Sequence, residues 1–273
     1  MIDSFVLLTP ILILVVVSLL VFVGCDVVFG LDRLDKPTGF AATTRSQRVD
    51  LTWNPYPNAE KFYVWRREGQ GDHEKIATKS GSETFHKDTD GLVNDTEYFY
   101  QLSVVLDGDE GDRTADLPAT PNPVSFVKTK TLTTARNDFT GSVGMSIVVA
   151  GEDLDVVTLG RPYALGNVQT HTLKIVDELS KAVIASVMLD TMQLPRSVGD
   201  FQYAPLPAPV TLTAGRTYYI LSSEVSGGDQ FYRHDATVTT TEVAAVGGAI
   251  FEQAGTFMQD ETAPRVYPVD LQY

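Results

Sequence analysis

Cysteine is nearly absent. Cys25 is the only one in 273 residues, which excludes an intrachain disulfide and a thiolate metal cluster. Bases are few, 21 Lys and Arg against 35 Asp and Glu, for a net charge of −14. The acid excess is spread out, with net −2 over residues 1–36 and −6 over each of 37–121 and 122–273. No segment carries the basic stripe of a nucleic-acid binder. The four histidines, His73, His86, His171 and His234, show no metal-ligand spacing. A Gly-x-Ser-x-Gly elbow and a Gly-rich loop ending in Lys-Ser or Lys-Thr are missing. What is present is apolar: 43% hydrophobic residues, 10% of all residues being aromatic, exclude wholesale disorder.

The greatest apolar density lies at the start. From Ser4 to Cys25 no residue is charged, and Asp3 and Asp26 bracket the run. Those 22 residues span about 33 Å as a helix, close to the ~30 Å hydrocarbon layer. A membrane-inserting segment over 1–25 is expected. The stretch Leu20-Val21-Phe22-Val23-Gly24-Cys25 resembles a bacterial lipobox, with Gly24 the small residue before a lipidated Cys25. Phe22, where that family prefers leucine, and an n-region without bases depart from the pattern. Three fates stay open: a lipoprotein anchored through Cys25, an uncleaved anchor, and simple secretion. All three put the remainder outside the cytoplasmic membrane, at the cell surface or periplasmic face of a bacterium.

Residues 26–36 read as a linker, charged and closed by Pro37. From there to 121, Val49-Asp50-Leu51-Thr52-Trp53, Phe62-Tyr63-Val64-Trp65-Arg66 and Tyr98 to Val104 alternate with period two. Pro37, Trp53, Phe62-x-Val64-x-Arg66 and Leu92-x-x-x-Thr96-x-Tyr98-x-Tyr100 resemble a fibronectin type III domain over 37–121. The resemblance implies a small sandwich serving as spacer or binding unit, with its third and sixth strands adjacent. Alternation then turns Phe62, Val64, Tyr98, Tyr100, Leu102 and Val104 inward and Tyr63, Trp65 and Phe99 outward onto one face. That face either packs against the rest of the chain or contacts a partner or glycan. Asp107-Gly108-Asp109-Glu110-Gly111-Asp112 reads as a solvated hairpin turn, because the twelfth position of a calcium loop would fall on Pro118.

After Asn122-Pro123 the composition shifts to Val, Thr, Gly and Ala, again in alternating runs. Residues 122–273 predict an eight-to-ten-strand sandwich, best read as a jelly roll and closed by Val266 to Tyr273. Gly141-Ser142-Val143-Gly144-Met145, Val157-Thr158-Leu159-Gly160-Arg161, Gly166-Asn167-x-x-Thr170-His171-Thr172-Leu173, Phe201-Gln202-Tyr203-Ala204-Pro205-Leu206 and Val210-x-Leu212-x-Ala214-Gly215-x-x-Tyr218 resemble bacterial extracellular jelly-roll-like domains of unassigned activity. These are related in style to carbohydrate-binding modules. The resemblance implies an appended binding or display module and carries no catalytic motif.

The fold expectation is therefore all-β, two tandem sandwiches behind a membrane segment. The functional expectation is a tethered binding protein for glycan or a surface protein, with no cofactor, metal or catalytic residue. A structural adhesin or self-assembling subunit is the alternative, and a carbohydrate-active enzyme trails it. Sugar binding calls for ring faces: Tyr163, Tyr203, Phe231 and Tyr232 are the candidates in the second module, beside Tyr63, Trp65 and Phe99 in the first. Asp153-x-Asp155 and Asp177-Glu178 read as solvated turns, and His171, between two threonines, as exposed sheet polarity.

Overall fold

The computed structural model describes residues 34–260 and 265–273; Cys25, the apolar segment and most of the linker lie outside them. Every regular element among the described residues is a strand, and no helix there is long and apolar enough to cross a membrane. Residues 34–42, 51–86 and 98–118 form one compact unit and residues 43–50, 87–97 and 119–273 a second.

The first sandwich contains β1 (Ala41–Arg45), β2 (Arg48–Thr52), β3 (Lys61–Glu68), β4 (Glu74–Ser80), β5 (Phe85–Asp88), β6 (Tyr98–Leu106), β7 (Asp109–Glu110) and β8 (Leu117–Ala119). One sheet runs β1-β2-β5 and the other β4-β3-β6-β7, with β8 also on β6. The expected adjacency of Phe62-Arg66 and Tyr98-Val104 is present as the β3–β6 ladder, in which Val64 opposes Leu102 and Trp65 opposes Gln101. Phe62, Val64, Tyr100, Leu102 and Val104 are sealed, with the Trp53 ring 5.4 Å from that of Phe62. The acidic run is a hairpin. Asp107 and Gly108 both take positive φ, 49° and 85°, the geometry of a two-residue turn between twisted strands.

The second sandwich has β9 (Val127–Thr131), β10 (Ala135–Arg136), β11 (Gly141–Val149), β12 (Leu154–Pro162), β13 (Thr170–Asp177), β14 (Val183–Asp190), β15 (Phe201–Leu212), β16 (Thr217–Glu224), β17 (Phe231–Tyr232), β18 (Ala236–Thr240), β19 (Ala244–Gln253), β20 (Thr256–Asp260), β21 (Arg265–Val266) and β22 (Asp270–Gln272). These are 14 strands, more than the eight to ten expected, because β10, β17 and β21 are two-residue pairings and β22 spans three residues, too short for sequence alternation to register as separate strands. A six-stranded sheet, β14-β13-β16-β11-β19-β20, is accompanied by β15-β12-β22 and β21-β18-β9. Met145, Ile147, Leu159, Leu173, Ile175, Ile220 and Leu271 build one core. Gly144 is obligatory for its own sheet, since a Cβ there would lie 1.8 Å from the Ile220 carbonyl oxygen.

Candidate functional site

The outward aromatic face of the first sandwich is built as read, but its rings are already occupied. Lys75 Nζ lies 3.9 Å from the Tyr63 centroid. Arg113 lies 3.4 Å from that of Trp65, and Arg67 lies 3.9 Å from that of Phe99. Tyr63 and Trp65 meet edge to face at 6.4 Å. The polar edges are tied down as well. Trp65 Nε1 donates to Ser103 Oγ at 3.1 Å, Ser103 donates to Glu110, and Arg67 donates to Asp116 at 2.6 Å. Each cation over a ring is worth about 0.5–1 kcal/mol at such sites. The three aromatics are thus half-buried by their own module's cations, and a sugar stacking there would have to displace them.

In the second sandwich strand parity assembles a buried ionic chain. Arg161 stands at the inward parity of Leu159 on β12, His171 at that of Leu173 and Ile175 on β13, and Glu224 at that of Ile220 and Ser222 on β16. The β13–β16 register, with Leu173 opposite Ser222, carries His171 across from Glu224. Arg161 donates to Glu224 twice, Nε to Oε1 at 3.1 Å and Nη2 to Oε2 at 2.9 Å. His171 Nδ1 sits 2.6 Å from the Ser223 carbonyl and Nε2 sits 3.1 Å from Asp229 Oδ2. All four side chains are buried. His171 is therefore not exposed sheet polarity: Thr170 and Thr172 face solvent, and the residue between them must face the interior. Asp177 is buried rather than solvated; bonds from the Ser180 N–H and hydroxyl hold its carboxyl below the usual range. Asp153 and Asp155 are exposed, as read.

Asp229 extends this chain into the loops. It accepts the Val168 N–H at 2.9 Å and the Gln169 N–H at 2.8 Å, and the Thr191 hydroxyl at 3.1 Å. Burial opposes its ionisation, but those donors outweigh burial and hold the carboxyl below its ordinary range. Asn167 reinforces the link, exchanging bonds with the backbone of Gln230 at 2.8 and 2.9 Å. Loops 163–169, 191–200 and 225–230 are thereby stapled together at one end of the sandwich. Their outer side chains are aliphatic: Leu165 is 76% exposed, Leu194 77%, and Val168, Met192, Val198 and Val225 are also out. Beside Leu194 a groove of about 330 Å³ is lined by Gln193, Pro195, Phe201, Gln202 and Tyr203. Gln202 Oε1 is buried without a hydrogen-bond partner.

The four second-module aromatics are distributed otherwise. Tyr163 and Phe231 are buried, and Phe231 packs on Phe139 and Tyr267 at 6.5 and 6.1 Å. Tyr232 joins them, its hydroxyl donating to the Tyr163 carbonyl at 3.4 Å. Tyr203 stands apart from this trio, its ring against Gly160 and its hydroxyl donating to Asp270 Oδ2 at 2.6 Å. Among the described residues no group of three or more His, Cys, Asp and Glu is placed to hold a metal ion. What sequence reading missed is the chain Arg161–Glu224–His171–Asp229. Its signal was available: three charged or polar residues at the inward parity of apolar strands.

No family model matches the chain, and no curated protein does. Solved structures do. An Fn3-like protein from Clostridium thermocellum is 33% identical over 32% of this chain and 93% of that one, TM-score 0.28. A two-domain fibronectin type III segment of chicken tenascin is 14% identical, over 76% of this chain and 100% of that one, TM-score 0.29. A structure of carbohydrate-binding modules from the β-sandwich superfamily is 12% identical, over 78% and 98%, TM-score 0.25. The clostridial match covers about a third of this chain and nearly all of that one.

Proposed function

We propose that this is a membrane-tethered, extracytoplasmic binding protein, with the fibronectin-like module as spacer and the loop end of the second sandwich as the surface that meets a protein partner. The apolar run from Ser4 to Cys25 supports the tether, through a lipidated Cys25 or the segment itself. The observation that carries the binding reading is the loop end, where Asp229 fixes three loops and their tips expose aliphatic side chains. Natural surfaces rarely gather such residues without a contact to make. The choice of protein over glycan rests on side-chain type. Sugar recognition needs open ring faces, whereas the most exposed residues here are Leu, Val and Met, with Tyr163 and Phe231 buried and Tyr203 and Tyr232 half-buried. A binder is favoured over an enzyme because His171 and Asp229 are sealed and already bonded to each other.

Capture by the full-length protein, from the surface of cells that make it, tests this reading. A protein retained by the wild type and lost with Leu165→Asp/Leu194→Asp is the expected result. Retention of polysaccharide that Tyr232→Ala abolishes would replace protein by glycan as the ligand.

A further inference from the structure

We propose that His171 is a proton-held clasp: in the folded chain it carries a hydrogen on both ring nitrogens, and loss of one releases the loops that Asp229 joins. The ring is 3% exposed, and each nitrogen faces an acceptor. Nδ1 lies 2.6 Å from the Ser223 carbonyl oxygen and Nε2 lies 3.1 Å from Asp229 Oδ2. A carbonyl can only accept, so Nδ1 must carry a hydrogen. Asp229 is likewise an acceptor. Its oxygens already receive the N–H groups of Val168 and Gln169 and the Thr191 hydroxyl, and these donors hold the carboxyl in its charged form. Nε2 must therefore carry the second hydrogen. A neutral imidazole has one N–H and one lone pair, and here that lone pair would point at an oxygen.

Charge balance leads to the same state. The charged groups facing the ring are Asp229 from the 225–230 loop and Glu224 from β16, whose Oε2 is 3.5 Å from Nδ1. Arg161 of β12 stands behind Glu224, and β14 sets the uncharged Leu189 opposite His171. Two carboxylates and one guanidinium leave a negative charge sealed and uncancelled, which is costly; an imidazolium cancels it. When a proton leaves to solvent, the bond tying Asp229 to β13, or that to Ser223, becomes a repulsion. Opening the loops turns His171 into an exposed histidine, and such a ring is neutral above about pH 6.5. In that range the closed form binds one proton more than the open form, so the clasp weakens as pH rises. The proposal stands independently of what the loop end binds.

Histidine-selective 15N NMR of the full chain at about pH 7.5 tests the first half. One ring with two slowly exchanging N–H protons is the expected result. His73, His86 and His234 are part-exposed, and their ring protons exchange too fast to be confused with it. Amide exchange tests the second half. Protection at Val168 and Gln169, corrected for the intrinsic rate, is expected to fall about tenfold per pH unit between about pH 7 and 9, the slope of one proton. His171→Gln is expected to lose most of that dependence. Asp270, whose carboxyl is pushed up to about 6, is ionised throughout that range and adds no slope. A single N–H on the buried ring of the wild type overturns the proposal without recourse to any variant. So does protection at Val168 and Gln169 that stays level across the range, and so does a slope that survives His171→Gln undiminished.

Discussion

Replacing Glu224 by glutamine removes one charge from the buried chain while preserving shape. Arg161 is 2% exposed, and both of its bonds to Glu224 Oε atoms are at or below 3.1 Å. The guanidinium keeps one neutral acceptor at close range, the Gln230 carbonyl at 2.8 Å, and is left without its bidentate carboxylate. Removing one member of such a pair costs about 3–5 kcal/mol. In a unit of this size each kcal/mol lowers Tm by about 2–4 °C, so Glu224→Gln should melt roughly 10 °C lower. The double variant Arg161→Met/Glu224→Leu removes both charges and should recover most of the loss, because paired apolar replacements are near neutral or better. Urea unfolding of wild type, Glu224→Gln and the double variant, followed by Tyr fluorescence, gives the loss and its recovery directly. A Glu224→Gln loss under about 1 kcal/mol, or a double variant no more stable than Glu224→Gln, would refute the reasoning.

Asp270, fully buried, accepts the Val127 N–H at 2.8 Å and the Tyr203 hydroxyl at 2.6 Å. Burial outweighs those donors and pushes its carboxyl up to about 6. A carboxyl raised on folding contributes stability that is present below its unfolded value near 4 and is lost as pH rises through 6. Stability should therefore rise between pH 7 and 5 by on the order of 1 kcal/mol, and Asp270→Asn should flatten that slope in a urea series. Asp229 and Glu252, whose carboxyls are held low, act oppositely and drive unfolding only in stronger acid. Arg113→Met should cost about 0.5–1 kcal/mol and shift Trp65 emission, with Trp53 as a buried internal reference. Gly144→Ala has no room beside the Ile220 carbonyl and should give insoluble protein on expression.

Strand content was legible because period-two alternation is a direct record of which face is buried. Phe62, Val64, Tyr100 and Leu102 sit where that record puts them, and Tyr63, Trp65 and Phe99 lie outside. The cations on those rings were not legible. Lys75 reaches them through the β3–β4 register, opposite Trp65, and Arg113 from a connecting segment, both matters of tertiary placement. In the second sandwich the same alternation, applied to Arg161, His171 and Glu224 rather than to apolar residues, points all three inward. Treating polarity as a sign of exposure hid them. Tyr163 and Phe231 reverse the lesson: both are ring-bearing residues near a glycine-rich turn, yet each is packed into the interior.

The most direct test places a photo-cross-linking residue at Leu194 on the surface of intact cells, with Lys128 as control position. The account predicts a discrete protein adduct from 194 that is lost with Leu165→Asp and absent from 128. No adduct at 194, or the same adduct from both positions, would contradict it.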